Sequence, residues 1–178
     1  MALPFRLLIL QHPREAINPK STARLLSLAV PESIHRVGLA FRSLSTAVGG
    51  KTDPQGWGVL YLGGKRESRE ARGEGPVTVL RPKGPGQGPA ISGVVALDGN
   101  WKQSKSLWWR NPWLLRLNRI IVRPKERAAY GSLRREPRPE SLSTLEAIAH
   151  CAEHLGHAPA ASEALRKLLD EHLALWRS

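Results

Sequence analysis

The sequence predicts an α/β fold in a single domain, built on a mostly parallel sheet. Short apolar runs alternate with amphipathic segments of helical period, the pattern of strands joined by helices. The first run, Phe5 to Leu10, is apolar except for Arg6, as expected of a strand covered on both faces. With 178 residues, 41% of them apolar, the chain can bury the core of one domain, which we assign to residues 1–178.

The elements that follow the first strand are predicted in order. After the loop QHPREAINPK, Ser21 or Thr22 caps a helix over ARLLSLAV, which Pro31 ends because proline excludes helical geometry at the preceding residue. Turn residues separate further apolar runs. These runs predict strands at 34–37, 58–62, 77–80, 93–97 and 119–122.

The rest of the chain consists of loops and helices. Two segments rich in glycine, proline and charge, 63–76 and 81–92, resemble insertions. The stretch WKQSKSLWWRNPWLL predicts a helix broken at Pro112. A basic loop then leads to two amphipathic helices that close the chain.

Composition favours a nucleic-acid partner. The net charge is +12, and such an excess attracts polyanions. Residues 101–138 carry eleven lysines or arginines against two glutamates, so one region holds most of the attraction. A solvated basic face without a ligand is the alternative.

Cysteine content and hydropathy argue against a disulfide-rich protein, a metalloprotein and a membrane protein. A single cysteine, Cys151, can form neither a disulfide framework nor a cysteine zinc site within this chain. The histidines at 150, 154 and 157 lack further ligands at metal spacing, so we expect no metal. No run is long and apolar enough to span a membrane. We expect a cytoplasmic protein.

Asp98 is the first candidate site residue. It follows the apolar run VVAL and precedes Gly99, so a carboxylate emerges where a buried strand ends, and parallel sheets bind ligands at that edge. Capping of the next helix is an equally good explanation. Trp101 can wall a ligand pocket or belong to the core, the commoner role.

The second candidate is a helix start at Ser143. Ser143 and Glu146 form a capping box, and a helix amino terminus also binds anions. His12, Arg14 and Glu15 follow the first strand, so we expect them near the same sheet edge.

The tryptophans at 108, 109 and 113 lie among cations. They can stack on unpaired bases or pack in the core, and we expect at least one to be buried.

Together these segments resemble the DTW-domain family of tRNA-uridine aminocarboxypropyltransferases over most of the chain. The family's Asp-x-Thr-Trp motif is similar to Asp98, Gly99, Asn100 and Trp101, and its Ser-Thr-x-Glu-Ala signature matches residues 143–147. The HPRE loop precedes both motifs and an Arg-Arg pair separates them. This order makes the combination specific.

The resemblance implies a SPOUT-like fold with a knotted ligand site, an exception to the rule against threaded chains. It implies S-adenosylmethionine as the donor of a 3-amino-3-carboxypropyl group, which is transferred to N3 of a tRNA uridine with release of methylthioadenosine. Asp98 is then the candidate catalytic base. The expected cofactor site comprises Leu97, Asp98, Gly99, Trp101, Tyr130, Leu133, Arg134, Leu142, Ser143, Thr144 and Glu146. The expected RNA contacts are His12, Arg14, Lys102, Lys105, Arg110 and Arg135.

The chain departs from the family pattern in two places. Asn100 stands where the motif usually has threonine, which changes the reach of a hydrogen-bonding side chain. The cysteine-rich N-terminal extension of many tRNA-acting members is expected to be absent, because the chain begins at its first strand, so another structured RNA such as rRNA remains open. The alternatives are a SPOUT-type RNA methyltransferase and, less favoured by the intact motifs, a non-catalytic RNA-binding protein.

Overall fold

The computed structural model describes residues 1–60, 75–82, 89–123 and 142–177, and they contain one six-stranded sheet. The strands occur in the order β2-β1-β5-β3-β6-β4. All neighbours pair in parallel except β4, which runs antiparallel to β6 at the edge. The strands are β1 (Arg6–Gln11), β2 (Ile34–Val37), β3 (Trp57–Leu60), β4 (Val77–Leu80), β5 (Gly93–Asp98) and β6 (Asn118–Val122).

Helices cover both faces of this sheet, so the predicted α/β class is confirmed. The described helices are α1 (Thr22–Ala29), α2 (Leu44–Val48), α3 (Trp101–Arg110), α4 (Thr144–His154) and α5 (Pro159–Arg177). Side chains of α1, α4 and α5 share one core cluster, and α2 belongs to the other. Trp108 of α3 packs against this second cluster.

The alternation of side chains along β1 explains its continuous apolar run. Leu7 and Ile9 belong to the cluster under α1, α4 and α5, whereas Leu8 and Leu10 belong to the opposite cluster. All four are buried. Successive side chains of a strand point to opposite faces, so the central residues of a strand covered on both sides are apolar at every position.

The strand order places a topological switch point between β1 and β5. These neighbours pair in parallel, with Gln11 opposite Asp98 at their carboxyl ends. From β1 the chain continues through α1 to β2 on one side, and from β5 through α3 to β6 on the other. Connections that diverge in this way open a crevice at the carboxyl ends, where such sheets bind ligands.

Several local predictions can be compared with these elements. The helix from Trp101 ends at Arg110, and a 3-10 turn over Pro112–Arg116 follows it, as the proline predicted. Residues 61–74, 83–88 and 124–141 lie outside the described ranges, so the expected knot and most of the two glycine-rich segments stay predictions. Within the described part of the chain, no helix has the length and apolarity needed to cross a membrane.

Candidate functional site

The Asp98 carboxylate lies at the carboxyl end of β5 and is only 4% exposed. Among the described residues, three side chains donate hydrogen bonds to it. Gln11 Nε2 and Ser21 Oγ reach Oδ2 at 2.9 and 3.2 Å, and Thr144 Oγ1 reaches Oδ1 at 2.6 Å. A buried carboxylate requires such partners, because losing water without replacement is costly.

Two helices begin at this carboxylate. Ser21 is the N-cap of α1, where its hydroxyl accepts from the amide of Ala23. Thr144 is the first residue of α4, directly after the N-cap Ser143. Helix amino termini carry partial positive charge and orphan amides. The site therefore combines one fixed carboxylate with the amino termini of two helices, and these termini attract anions.

Gln11 links Asp98 to His35 on the edge strand β2. Gln11 Oε1 lies 3.0 Å from His35 Nε2. The Gln11 amide group must point its NH₂ at Asp98, since a carboxylate only accepts, and its oxygen therefore faces the imidazole. His35 Nε2 must then carry the proton. Burial lowers the pKa of His35, and the negative charge of Asp98 opposes that shift.

Within the described residues, the hydrogen bonds leave Asp98 with one acceptor position. A carboxylate offers about four lone-pair sites, and three are engaged: two on Oδ2 and one on Oδ1. The remaining site is on Oδ1, the oxygen that faces the start of α4. Chemically, Asp98 can still accept one proton or one further hydrogen bond there.

The backbone after Asp98 turns into α3 in a tightly packed corner. The Asp98 carbonyl accepts from the amide of His12 at 3.0 Å. A Cβ on Gly99 would lie 2.7 Å from Cβ of Gln103, closer than carbon atoms pack. Buried Ser104 donates to the Gly99 carbonyl at 3.1 Å. Gly99 is thus required by the close approach of α3 to its own entry turn.

Asn100, and not Asp98, caps α3. Its side chain accepts from the amide of Gln103 at 3.0 Å, and the Gln103 side chain accepts from the Asn100 amide at 2.7 Å. This excludes the capping explanation for Asp98. It also gives a physical account of asparagine at the usual threonine position, because both residues are effective N-caps.

The helix start at Ser143 has the predicted capping box. Ser143 Oγ accepts from the amide of Glu146 at 3.1 Å, and Glu146 Oε2 accepts from the Ser143 amide at 2.9 Å. Glu146 is buried. The Glu146 carboxylate is therefore oriented by its own helix, while Thr144 is the residue of this motif that contacts Asp98.

The structure brings together part of the predicted cofactor set. Asp98 and Thr144 are in contact, Gly99 and Trp101 belong to the entry of α3, and Leu142, Ser143 and Glu146 belong to the entry of α4. Leu97 packs against the core cluster of the α2 side. Trp101 is partly buried. Three residues of this set, Tyr130, Leu133 and Arg134, lie outside the described ranges, as does the predicted RNA contact Arg135.

The predicted RNA contacts that the structure describes lie on the β1 loop and on α3. Arg14, Lys102, Lys105 and Arg110 are exposed, and His12 is partly buried. Desolvation lowers the pKa of His12, and the charges of Arg14 and Arg110 lower it further, against an opposing effect of Glu15. Arg14 of the loop and Arg110 at the end of α3 are therefore both close enough to His12 to act on its charge.

The three clustered tryptophans have different environments. Trp113 Nε1 donates to the Phe41 carbonyl at 2.9 Å, and the ring packs on the α2-side core. Trp108 packs on the same core beneath the Arg119 guanidinium. Trp109 is 71% exposed. Core packing thus accounts for two of the rings.

The histidines of α4 make helix-packing contacts. His150 and His154 are stacked at 6.1 Å, and an Arg166 nitrogen lies 3.3 Å from His150 Nδ1. Among the residues that the structure describes, no group of three histidine, cysteine or acidic side chains is arranged to hold a metal ion.

Gln11, Ser21 and His35 were not predicted as site residues. Ser21 was recognised only as a helix cap. Gln11 follows an apolar strand as Asp98 does, and a polar residue at that register position was an available signal. His35 carried no signal, because its strand had no marker of its position beside β1.

A family model described as the DTW domain matches residues 1–176 of the chain. The matched range includes both Asp98 and Thr144, the two motif residues that are in contact. Neither the curated proteins nor the solved structures compared with the chain contain a match.

Proposed function

The chain belongs to the DTW-domain family, and we propose that it transfers the 3-amino-3-carboxypropyl group of S-adenosylmethionine to N3 of a uridine in tRNA. At the coarser level, membership makes the chain a tRNA-modifying transferase. The observation that supports the finer proposal is the buried Asp98 carboxylate, placed at the switch point where two helices begin.

The residues present suit the charges of this donor. Its aminocarboxypropyl chain carries a carboxylate, and the amino termini of α1 and α4 favour an anion. Trp101 and Leu97 provide apolar surface beside the same corner for the donor's less polar parts. Thr144, Gln11 and Ser21 hold Asp98 in one orientation, so the carboxylate is positioned before any ligand binds.

Asp98 has a specific role in this proposal. S-adenosylmethionine supplies an electrophilic carbon attached to a positively charged sulfur, and methylthioadenosine is the leaving group. As the N3–carbon bond forms and the carbon–sulfur bond breaks, the proton on N3 must leave the uridine. We assign its acceptance to the remaining lone pair of Asp98 Oδ1.

The target uridine must be unpaired when it reacts. N3 lies on the base-pairing edge, which a duplex conceals. The electropositive region formed by Arg14, Arg110 and the lysines of α3 would bind the surrounding phosphates. We propose the cytoplasm as the place of action, because a single cysteine, Cys151, fits a reducing compartment.

Product analysis tests this function. The protein is incubated with S-adenosylmethionine and unmodified tRNA, and both the small product and the nucleosides are identified by mass spectrometry. We expect methylthioadenosine and an aminocarboxypropyl uridine. S-adenosylhomocysteine with a methylated nucleoside would instead identify an RNA methyltransferase, and reaction on rRNA alone would change the substrate. RNA binding without any product would identify a non-catalytic protein.

A further inference from the structure

Trp109 is an unusual surface residue. Its ring is 71% exposed, although tryptophan is usually well buried. The neighbouring rings Trp108 and Trp113 pack on the core, so core packing explains those two, whereas within the described residues it does not explain Trp109.

Two lysines share the surface of α3 with Trp109. Lys102, Lys105 and Trp109 have the spacing i, i+3, i+7, which places them on one face of a helix. All three are exposed. The helix itself contains no acidic residue. We refer to these three residues as the Trp109 stripe.

The stripe begins at the candidate site. α3 starts three residues after Asp98, and at 1.5 Å per residue the stripe extends roughly 10 Å along the helix from Lys102 to Trp109. Arg110, the next residue, adds a charge close enough to affect His12 in the β1 loop. An extended segment of RNA whose reacting uridine lies at Asp98 can therefore reach Trp109 within a few nucleotides.

We propose that the Trp109 stripe binds an unpaired segment of the substrate RNA, with one base stacked on Trp109 and the adjacent phosphates near Lys102 and Lys105. Alternating rings and cations are the features that proteins use for single-stranded nucleic acid. The net charge of +12 favours this polyanion over an apolar protein surface. The inference rests on the proposed function, because it takes RNA to be the substrate.

The test compares variants for binding to three RNAs: unmodified tRNA, a short oligouridine and a fully paired duplex. Trp109→Ala should weaken binding to tRNA and oligouridine about 5- to 100-fold, the range for loss of one stacked base. Trp109→Phe should restore most of the affinity. Because stacking needs an unpaired base, binding to the duplex should change little.

Two further variants separate stacking from charge and from general surface effects. Leu28→Ala is the matched control, since Leu28 is 72% exposed on α1, across the sheet from Trp108 and its core cluster. It should bind all three RNAs as the wild type does. The double change Lys102→Gln and Lys105→Gln should lower the dependence of affinity on salt, whereas Trp109→Ala should leave that dependence unchanged.

Two results would overturn the proposal. One is unaltered binding of oligouridine and tRNA by Trp109→Ala, or an equal loss on the duplex. The other is a change in the sedimentation of the free protein with RNA affinity intact, which would assign the ring to a protein contact. Binding is measured without S-adenosylmethionine, so failure of group transfer would contradict the proposed function while leaving this result to stand.

Discussion

The hydroxyl of Thr144 donates a 2.6 Å hydrogen bond to the Asp98 carboxylate, joining residues 46 positions apart. One belongs to the end of a central strand, and the other to the first turn of a helix on the sheet's face. This contact makes the two sequence motifs into one site. It also means that Asp98 is held by its neighbours, and this positioning can be separated by substitution from the proton-accepting role proposed for Asp98.

Asp98→Asn tests the proton-accepting role. The amide keeps the shape of the side chain, and the Thr144 hydroxyl can reverse to accept from it, so we expect the fold to survive. Loss of a general base should lower the transfer rate by about 100-fold or more. Rates are measured in single turnovers and donor affinity by calorimetry. Near-normal turnover would refute the assignment.

Thr144→Val isolates the positioning hydrogen bond. Valine has nearly the same shape but no donor, so a buried carboxylate oxygen loses its partner at a cost of about 1–3 kcal/mol in unfolding free energy. Thr144→Ser keeps the hydroxyl and should restore most of that stability. Urea denaturation provides the measurement. Equal stability of the valine and serine variants would show that the hydrogen bond contributes nothing.

Gln11→Glu should produce a pH-dependent defect. The substitution places a second carboxylate where Gln11 Nε2 now lies 2.9 Å from Asp98, and two carboxylates at this distance retain one proton between them. The variant should be less stable than the wild type at neutral pH and recover as the pH falls. Gln55→Glu is the control, because Gln55 is exposed. A pH-independent difference from the wild type would contradict this account.

His35 should make the protein less stable in acid. Its pKa in the folded chain lies below the ordinary value of 6.5, so the unfolded state binds the proton more readily. The resulting stabilisation is complete above 6.5 and declines as the pH falls from there toward the lowered value. His35→Gln should reduce the loss of stability as the pH falls below 6.5. An unchanged pH profile would exclude His35 as its source.

Asn100→Thr should be close to neutral in stability, because threonine also caps helices. Asn100→Ala removes the cap of α3 and should cost about 1 kcal/mol. Thermal unfolding distinguishes the two. If both variants were equally destabilised, Asn100 would have a function that its cap does not explain.

Local sequence patterns predicted much of the fold, and they predicted the Asp98 and Ser143 parts of the site. The apolar strands, the break at Pro112, the capping box at Ser143 and the emergence of Asp98 from a strand all depend on residues adjacent in sequence. The alternative that Asp98 caps α3 was wrong. The N-cap of α3 is the residue directly before Trp101, and that residue is Asn100. Local spacing did not distinguish these two polar residues.

The rest of the site depends on contacts between distant segments. Sequence alone determined that an acid ends a buried strand and that a helix begins at Ser143, since period and capping are local properties. Only the tertiary structure decided that β1 lies between β2 and β5, which brings Gln11 to the carboxylate and His35 to Gln11, and that Ser21 reaches the same carboxylate. It alone distinguished Trp109 from its neighbouring tryptophans. Strand order and burial arise from packing of the whole chain, and no local pattern encodes them.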